Sequence, residues 1–179
     1  MTRVTWILLS SRLPREPSRL RLGVWRRLRR VGALLLHDSV WILPADAKTR
    51  EAFEWLAEEI EEQGGTALTW EAQSLSAAQD QQVVQQFRAE ADERYAGLGA
   101  SAKAIRRAAG RRARLDASRL SPALRQLRGL ERALRLERRR DYFRAPGRGQ
   151  TEIAIQEAIR DLGARLPSRT AGARDALGH

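Results

Sequence analysis

The stretch Ala33-Leu34-Leu35-Leu36-His37-Asp38-Ser39-Val40-Trp41-Ile42-Leu43-Pro44 decides the fold of this 179-residue chain. Two short apolar runs flank three polar residues, which reads as a pair of strands with a tight connection. Pro44 ends the second strand, because it has no N–H to give to a ladder. His37 and Asp38 are neighbours of opposite chemistry and could be taken for an acid–base pair. Adjacent strand residues point to opposite faces, however, and Asp is favoured in tight turns for its backbone bonding. The turn is the preferred reading.

Upstream of this hairpin, Leu20, Val24, Leu28 and Val31 fall on one arc of a helical wheel, with Trp25 at its margin. Ser18 caps that helix, which begins near Arg19, and Gly32 ends it. Pro14 and Pro17 separate it from Val4 to Ser11, a stretch opening Val-Thr-Trp-Ile-Leu-Leu that reads as a buried strand. Downstream, Asp46 caps a second helix whose apolar set is Phe53, Leu56, Ala57 and Ile60. Glu54, Glu58, Glu59, Glu61 and Glu62 give it a solvated acidic surface, and Gly64-Gly65 stop it. Leu68 and Trp70 alternate with Thr69 and Glu71, as in a half-buried strand.

The order is therefore β-α-β-β-α-β. This predicts an α+β fold with a ferredoxin-like core, an antiparallel sheet carrying both helices on one face. The other face needs a cover, from a second subunit or from the rest of the chain. Strand signals vanish from Ala77 onward. Val84, Phe87, Ala91 and Leu98 recur at helical spacing with Tyr95 nearby, and residues 100–115 read as helix or linker. Ser121-Pro122 reads as a cap followed by a first helical residue, with Leu124, Leu127, Leu130 and Leu134 on one broad face. Pro146-Gly147-Arg148-Gly149 reads as a loop, and Ile155, Ile159, Leu162 and Leu166 mark a last helix. The division expected is a ferredoxin-like domain over 3–73, a basic helical extension over 77–166 and a disordered tail over 167–179.

Charge sorts the functions. The chain carries a formal +11, which points to a polyanionic partner. Residues 1–75 hold 11 basic and 10 acidic side chains, whereas 76–179 hold 22 and 12, so the excess lies in the second half. All the basic residues except Lys48 and Lys103 are arginine, and such a skew also arises from biased coding composition. Without cysteine there is no disulfide, zinc–thiolate site or thiol switch. No apolar run approaches the ~20 residues of a membrane helix, and a cytoplasmic protein is expected.

Phosphate-binding candidates form two groups. Arg19, Arg26 and Arg30 line one side of the first helix. Its alternative role is the polar outer side that any helix covering a sheet must have. Lys103, Arg106, Arg107, Arg111, Arg112 and Arg114 form a denser run with no acid among them, where like charges repel at i, i+4 and a polyanion would relieve the repulsion. Arg138 to Arg140, with Arg144 and Arg148, make a third cluster diluted by Glu137 and Asp141. A turn at Asp116–Ser121 between two helices offers a helix-turn-helix reading. Tyr142 and Phe143 would either stack on bases or pack against the leucine-rich helix. Arg15, Ser18 and Arg19, at a helix N-terminus, form a candidate oxyanion site. No phosphate loop, metal-ligand spacing or catalytic constellation stands out, so no cofactor and no enzymatic activity are expected.

The segment from Arg12-Leu13-Pro14-Arg15-Glu16-Pro17 to Val24-Trp25-Arg26-Arg27-Leu28, with Val40-Trp41-Ile42-Leu43-Pro44 and Arg50-Glu51-Ala52-Phe53-Glu54-Trp55-Leu56, resembles the N-terminal domain of the bacterial chromate-resistance regulators (ChrB). Arg140-Asp141-Tyr142-Phe143-Arg144-Ala145-Pro146 is similar to an Arg-Asp-aromatic-Phe stretch of that family. The resemblance implies a chromate-responsive, DNA-binding regulator of an efflux transporter. Double-stranded DNA, a chromate or sulfate-like oxyanion and a second copy of the chain are then the expected partners. Family members commonly carry a further C-terminal domain, which this chain is expected to lack. The core is also similar to the middle domain of phenylacetate-degradation repressors and to the small nuclease-like subunit of CRISPR adaptation complexes. The latter places an acidic residue at the end of its first strand. Leu9-Ser10-Ser11-Arg12 supplies none, which argues against nuclease activity.

Overall fold

The computed structural model describes residues 3–14, 18–110 and 117–165. Four strands and five helices follow one another: β1 (Thr5–Arg12), α1 (Ser18–Val31), β2 (Leu34–His37), β3 (Val40–Pro44), α2 (Ala47–Glu62), β4 (Thr66–Gln73), α3 (Ala77–Gly110), α4 (Ala117–Arg140) and α5 (Arg148–Ala164). The expected β-α-β-β-α-β succession is present. The strands make one sheet in the order β2-β3-β1-β4, and every neighbouring pair is antiparallel. The chain divides into two compact units, one of residues 1–90 with 139–145 and one of 91–138 with 146–179. The division passes through α3.

In the first unit the hairpin read from sequence holds. Asp38 sits between β2 and β3 with φ 39°, a conformation that Asp tolerates better than most residues. Asp46 caps α2 through a reciprocal box. Its carboxylate accepts from the Thr49 N–H at 2.8 Å, and the Thr49 hydroxyl accepts from the Asp46 N–H at 2.8 Å. That hydroxyl donates onward to the Pro44 carbonyl at 2.7 Å, tying the helix start to the end of β3.

Register assigns the two faces of the sheet. Ile7 pairs with Leu43 and Leu9 with Trp41, so these four share a face. They are buried in one cluster with Leu20, Val24 and Leu28 of α1 and Phe53, Leu56 and Ile60 of α2. On the other face lie Trp6, Leu8 and Ser10, opposite Ala72, Trp70 and Leu68 of β4. Leu68 and Trp70 are thus not half-buried as expected but 60% and 58% exposed, whereas Ala67 is the buried residue of β4. Their alternation is real. It points away from α1 and α2.

Part of that second face is covered by the chain itself. Trp6 stacks on Phe87 of α3 with centroids 5.9 Å apart, and Phe143 approaches both rings at 5.8 and 5.3 Å. Tyr142 meets Phe87 edge-on at 6.3 Å. Asp80, in the first turn of α3, is buried and accepts from the Trp6 indole N–H at 2.7 Å and from the Val4 N–H at 3.2 Å. Hydrogen bonds from Ser74 and then Trp6 hold its carboxyl below the usual aspartate range.

The segment Arg139–Ala145 belongs to this unit and closes the end of α1. Arg140 donates to the Arg29 carbonyl at 2.7 Å and the Tyr142 hydroxyl to the Val31 carbonyl at 2.7 Å. These are carbonyls that a helix C-terminus leaves without an intrahelical donor. Burial pushes the Tyr142 hydroxyl up to about 12. Gly32 follows with φ +81°, and a Cβ there would lie 2.7 Å from the Arg140 Cβ and 3.0 Å from its carbonyl oxygen.

The second unit is helical. Ala91, Tyr95 and Ala102 of α3, Leu120, Leu127 and Leu134 of α4, and Ile155, Ala158 and Leu162 of α5 are buried. The Thr151 hydroxyl donates to the Tyr95 carbonyl at 3.0 Å, and Arg94 pairs with the buried Glu137 at 2.8 Å. Residues 100–110 are helix, one of the two readings of that stretch. Two boundaries differ from expectation. α4 starts at Ala117, so Pro122 lies within it and Ser121-Pro122 does not open it. α5 starts at Arg148 inside the expected loop, where the Gly147 N–H donates to the Asp92 carboxylate at 2.7 Å. Leu166 and the expected tail at 167–179 lie outside the described residues.

Two expectations follow. Gly32→Ala combines a left-handed backbone with a backbone clash and should cost about 2–3 kcal/mol in denaturant unfolding. Asp80 is depressed in the folded state, so it contributes stability above its unfolded pKa, near 3.8, and loses that contribution as pH falls through the lower folded value. Asp80→Asn should therefore lower stability at neutral pH and flatten its decline below about pH 4, as followed by tryptophan fluorescence.

Candidate nucleic-acid interface

Arg19, Arg26 and Arg30 are all exposed on α1, turned away from the sheet. Their neighbours are spoken for. Arg29 pairs with Glu90 at 2.6 Å and Arg27 with Glu59 of α2. Arg30 and Arg27 line an open groove between α1 and α2 that also contains Trp55, Glu58, Glu59 and Glu62. Among the described residues the α1 stripe is thus free of ion pairs at Arg19, Arg26 and Arg30, but it has acidic surroundings at one end.

The second run is only partly described. Lys103, Arg106 and Arg107 are exposed on α3, while Arg111, Arg112 and Arg114 lie outside the described residues. Arg106 is engaged within its own unit, meeting Asp161 at 3.0 Å and Glu157 at 3.5 Å on α5. Arg106 holds the Asp161 carboxyl below its usual range. The acid that the run itself lacks is supplied by another helix. The α1 stripe and this run belong to different units.

Of the candidate oxyanion site, Arg15 and the Ser18 side chain lie outside the described residues, and Arg19 is exposed. A cleft of about 450 Å³ is present near that end of the sheet, lined by Ser11, Arg12, Arg21, Trp25, Ser39 and Trp41. His37 is an exposed strand-end residue beside the Asp38 turn. Among the described residues no three His, Asp or Glu side chains gather as a metal site. The Glu-rich side of α2 is a solvated face.

Two members of the third cluster are engaged within the fold. Arg138 pairs with Glu152 at 3.1 Å, and Arg140 holds the end of α1. Tyr142 and Phe143 pack in the aromatic cluster around Trp6 and Phe87 and do not offer their faces to a base.

Sequence reasoning missed a different set. Arg125, Arg128, Arg132 and Arg135 of α4 are all exposed, and none forms an ion pair among the described residues. Their 3-4-3 spacing is that of one helix face, next to the leucines of the same helix. That spacing is a signal the sequence itself carries.

An α+β unit joined through a continuous helix to an arginine-rich helical unit defines the class: a two-unit basic protein. Among the described residues, no helix is long and apolar enough to cross a membrane. The chain belongs to the family described as Protein ChrB, N-terminal, whose model matches residues 21–164. No curated protein and no solved structure matches it.

Arg106 is a useful discriminator. If it serves chiefly as an exposed ion-pair partner, Arg106→Gln should cost less than about 1 kcal/mol of thermal stability, an effect that shrinks further in high salt. A larger loss would make it a structural residue of the helical unit.

Proposed function

We propose that this chain is a DNA-binding regulatory protein of the chromate-resistance type, acting in the cytoplasm without enzymatic activity of its own. Family membership supports the regulatory role. The observation that carries DNA binding is the charge excess of the second half, where exposed arginines stand without acidic partners among the described residues. Phosphate contacts from Lys103, Arg107 and the α1 stripe of Arg19, Arg26 and Arg30 would supply sequence-independent affinity. The sheet order, with β1 between β3 and β4, supports the ferredoxin-like reading of the core. In this reading a second copy covers Leu68 and Trp70, the effector is chromate or a sulfate-like oxyanion, and Arg15, Ser18 and Arg19 hold it.

One observation favours a second reading, a protein-interaction module without DNA contact. Leu68 and Trp70 are large, apolar, adjacent across alternate positions of an edge strand, and exposed. Such patches mark interaction sites.

Fluorescence anisotropy separates the two. The protein is titrated onto a labelled duplex from its own upstream region and onto a scrambled duplex, across a salt series, with and without chromate. The regulator reading expects tighter binding to the first duplex. It also expects a log–log salt slope of about −0.9 per phosphate neutralised, and weakening by chromate. Absence of binding to either duplex would sink it in favour of the interaction module.

A further inference from the structure

The arginines of α4 form the most complete charged surface among the described residues. At 100° per residue, Arg125, Arg128, Arg132 and Arg135 fall within an arc of about 80° and extend over about 15 Å of helix axis. The leucines Leu120, Leu124, Leu127 and Leu134 are buried on the adjoining arc of the same helix. Burial therefore fixes the rotation of α4, and the arginine ridge is held outward.

Four guanidiniums at i, i+3 and i, i+4 spacing repel one another. A folded protein commonly relieves such repulsion with carboxylates from neighbouring elements. Here the described carboxylates of the unit other than Glu93 are engaged elsewhere. Asp92 accepts from Gly147, Glu131 from Gln156, and Glu137 from Arg94. Glu152 pairs with Arg138, while Glu157 and Asp161 pair with Arg106. The unit thus neutralises Arg94, Arg106 and Arg138 and leaves the ridge without counter-ions among the described residues.

We infer that the α4 ridge of Arg125, Arg128, Arg132 and Arg135 is a docking surface for the phosphate backbone of double-stranded DNA. The inference rests on the nucleic-acid reading above and moves the main interface from α1 and α3 to α4. A membrane surface fits less well, because the apolar side of α4 is already buried in protein and cannot enter lipid. An acidic protein fits less well too, since the arc contains no aromatic or aliphatic anchor of the kind that fills an interface core. Within the arc the other described side-chain positions are Ser121 and Arg139. The contacts proposed are to phosphate, which position the protein on DNA.

The test uses the full chain and compares wild type with R125Q/R128Q/R132Q/R135Q by anisotropy on the upstream and scrambled duplexes. Circular dichroism and thermal melting report folding. The four changes should reduce the log–log salt slope by about 3–4, near 0.9 for each phosphate left unneutralised, and weaken both duplexes by the same factor. The single Gln variants, which are milder surface changes, should each lower the slope by about 0.9. Replacing all four by Lys should keep the wild-type slope, because charge and not the guanidinium fork sets that quantity. An unchanged slope in the folded Gln variants overturns the ridge. If R26Q/R30Q abolishes binding while the ridge variants do not, the ridge fails and the nucleic-acid reading survives. Wild-type protein that ignores both duplexes but binds vesicles of anionic lipid overturns both.

Discussion

The Asp80 carboxylate ties together two distant parts of the chain. It is buried beside an indole ring, where an unpaired charge would be costly, so its hydrogen bonds from Trp6 and Val4 are obligatory rather than decorative. Through them the start of β1 is joined to the first turn of α3. Trp6 can then lie flat on Phe87, and Phe143 and Tyr142 can close over them. The second face of the sheet is dry where these rings cover it and exposed beyond them, at Leu68 and Trp70.

The same cluster explains the Arg140-Asp141-Tyr142-Phe143 stretch. Each side chain has a distinct task. Arg140 and Tyr142 satisfy carbonyls at the end of α1, the Asp141 carboxylate accepts from the Ala145 N–H at 2.9 Å, and Phe143 fills space against Trp6. Gly32 is the counterpart, the residue that permits Arg140 to come so close. A stretch that looks like a basic-aromatic binding motif in sequence is thus a clasp within the first unit.

Charge in the helical unit follows a related logic. Arginine is abundant, but its placement is not uniform. Arg94, Arg106 and Arg138 face carboxylates of neighbouring helices, which they orient and partly neutralise. The ridge arginines of α4 face outward and find none among the described residues. Net charge alone gives every arginine the same claim on a polyanion, whereas pairing removes some from consideration and leaves others.

Much of the fold was legible from local signals. The turn at Asp38, the cap at Asp46, the stop at Gly32 and the apolar arcs of α1 and α2 depend on neighbours within a few residues, so sequence alone determined them. The half-buried assignment of Leu68 and Trp70 failed because period-2 alternation shows that a strand has two faces but not which one the helices cover; that depends on register with β1. Pro122 inside α4 defeated a local start signal, since packing of Leu120 and Leu124 outweighs one missing backbone bond. For the candidate interface, sequence determined how many arginines there are and their helical spacing. Only the tertiary structure decided which were already paired, because their carboxylate partners lie far away along the chain and come near only when the helices pack.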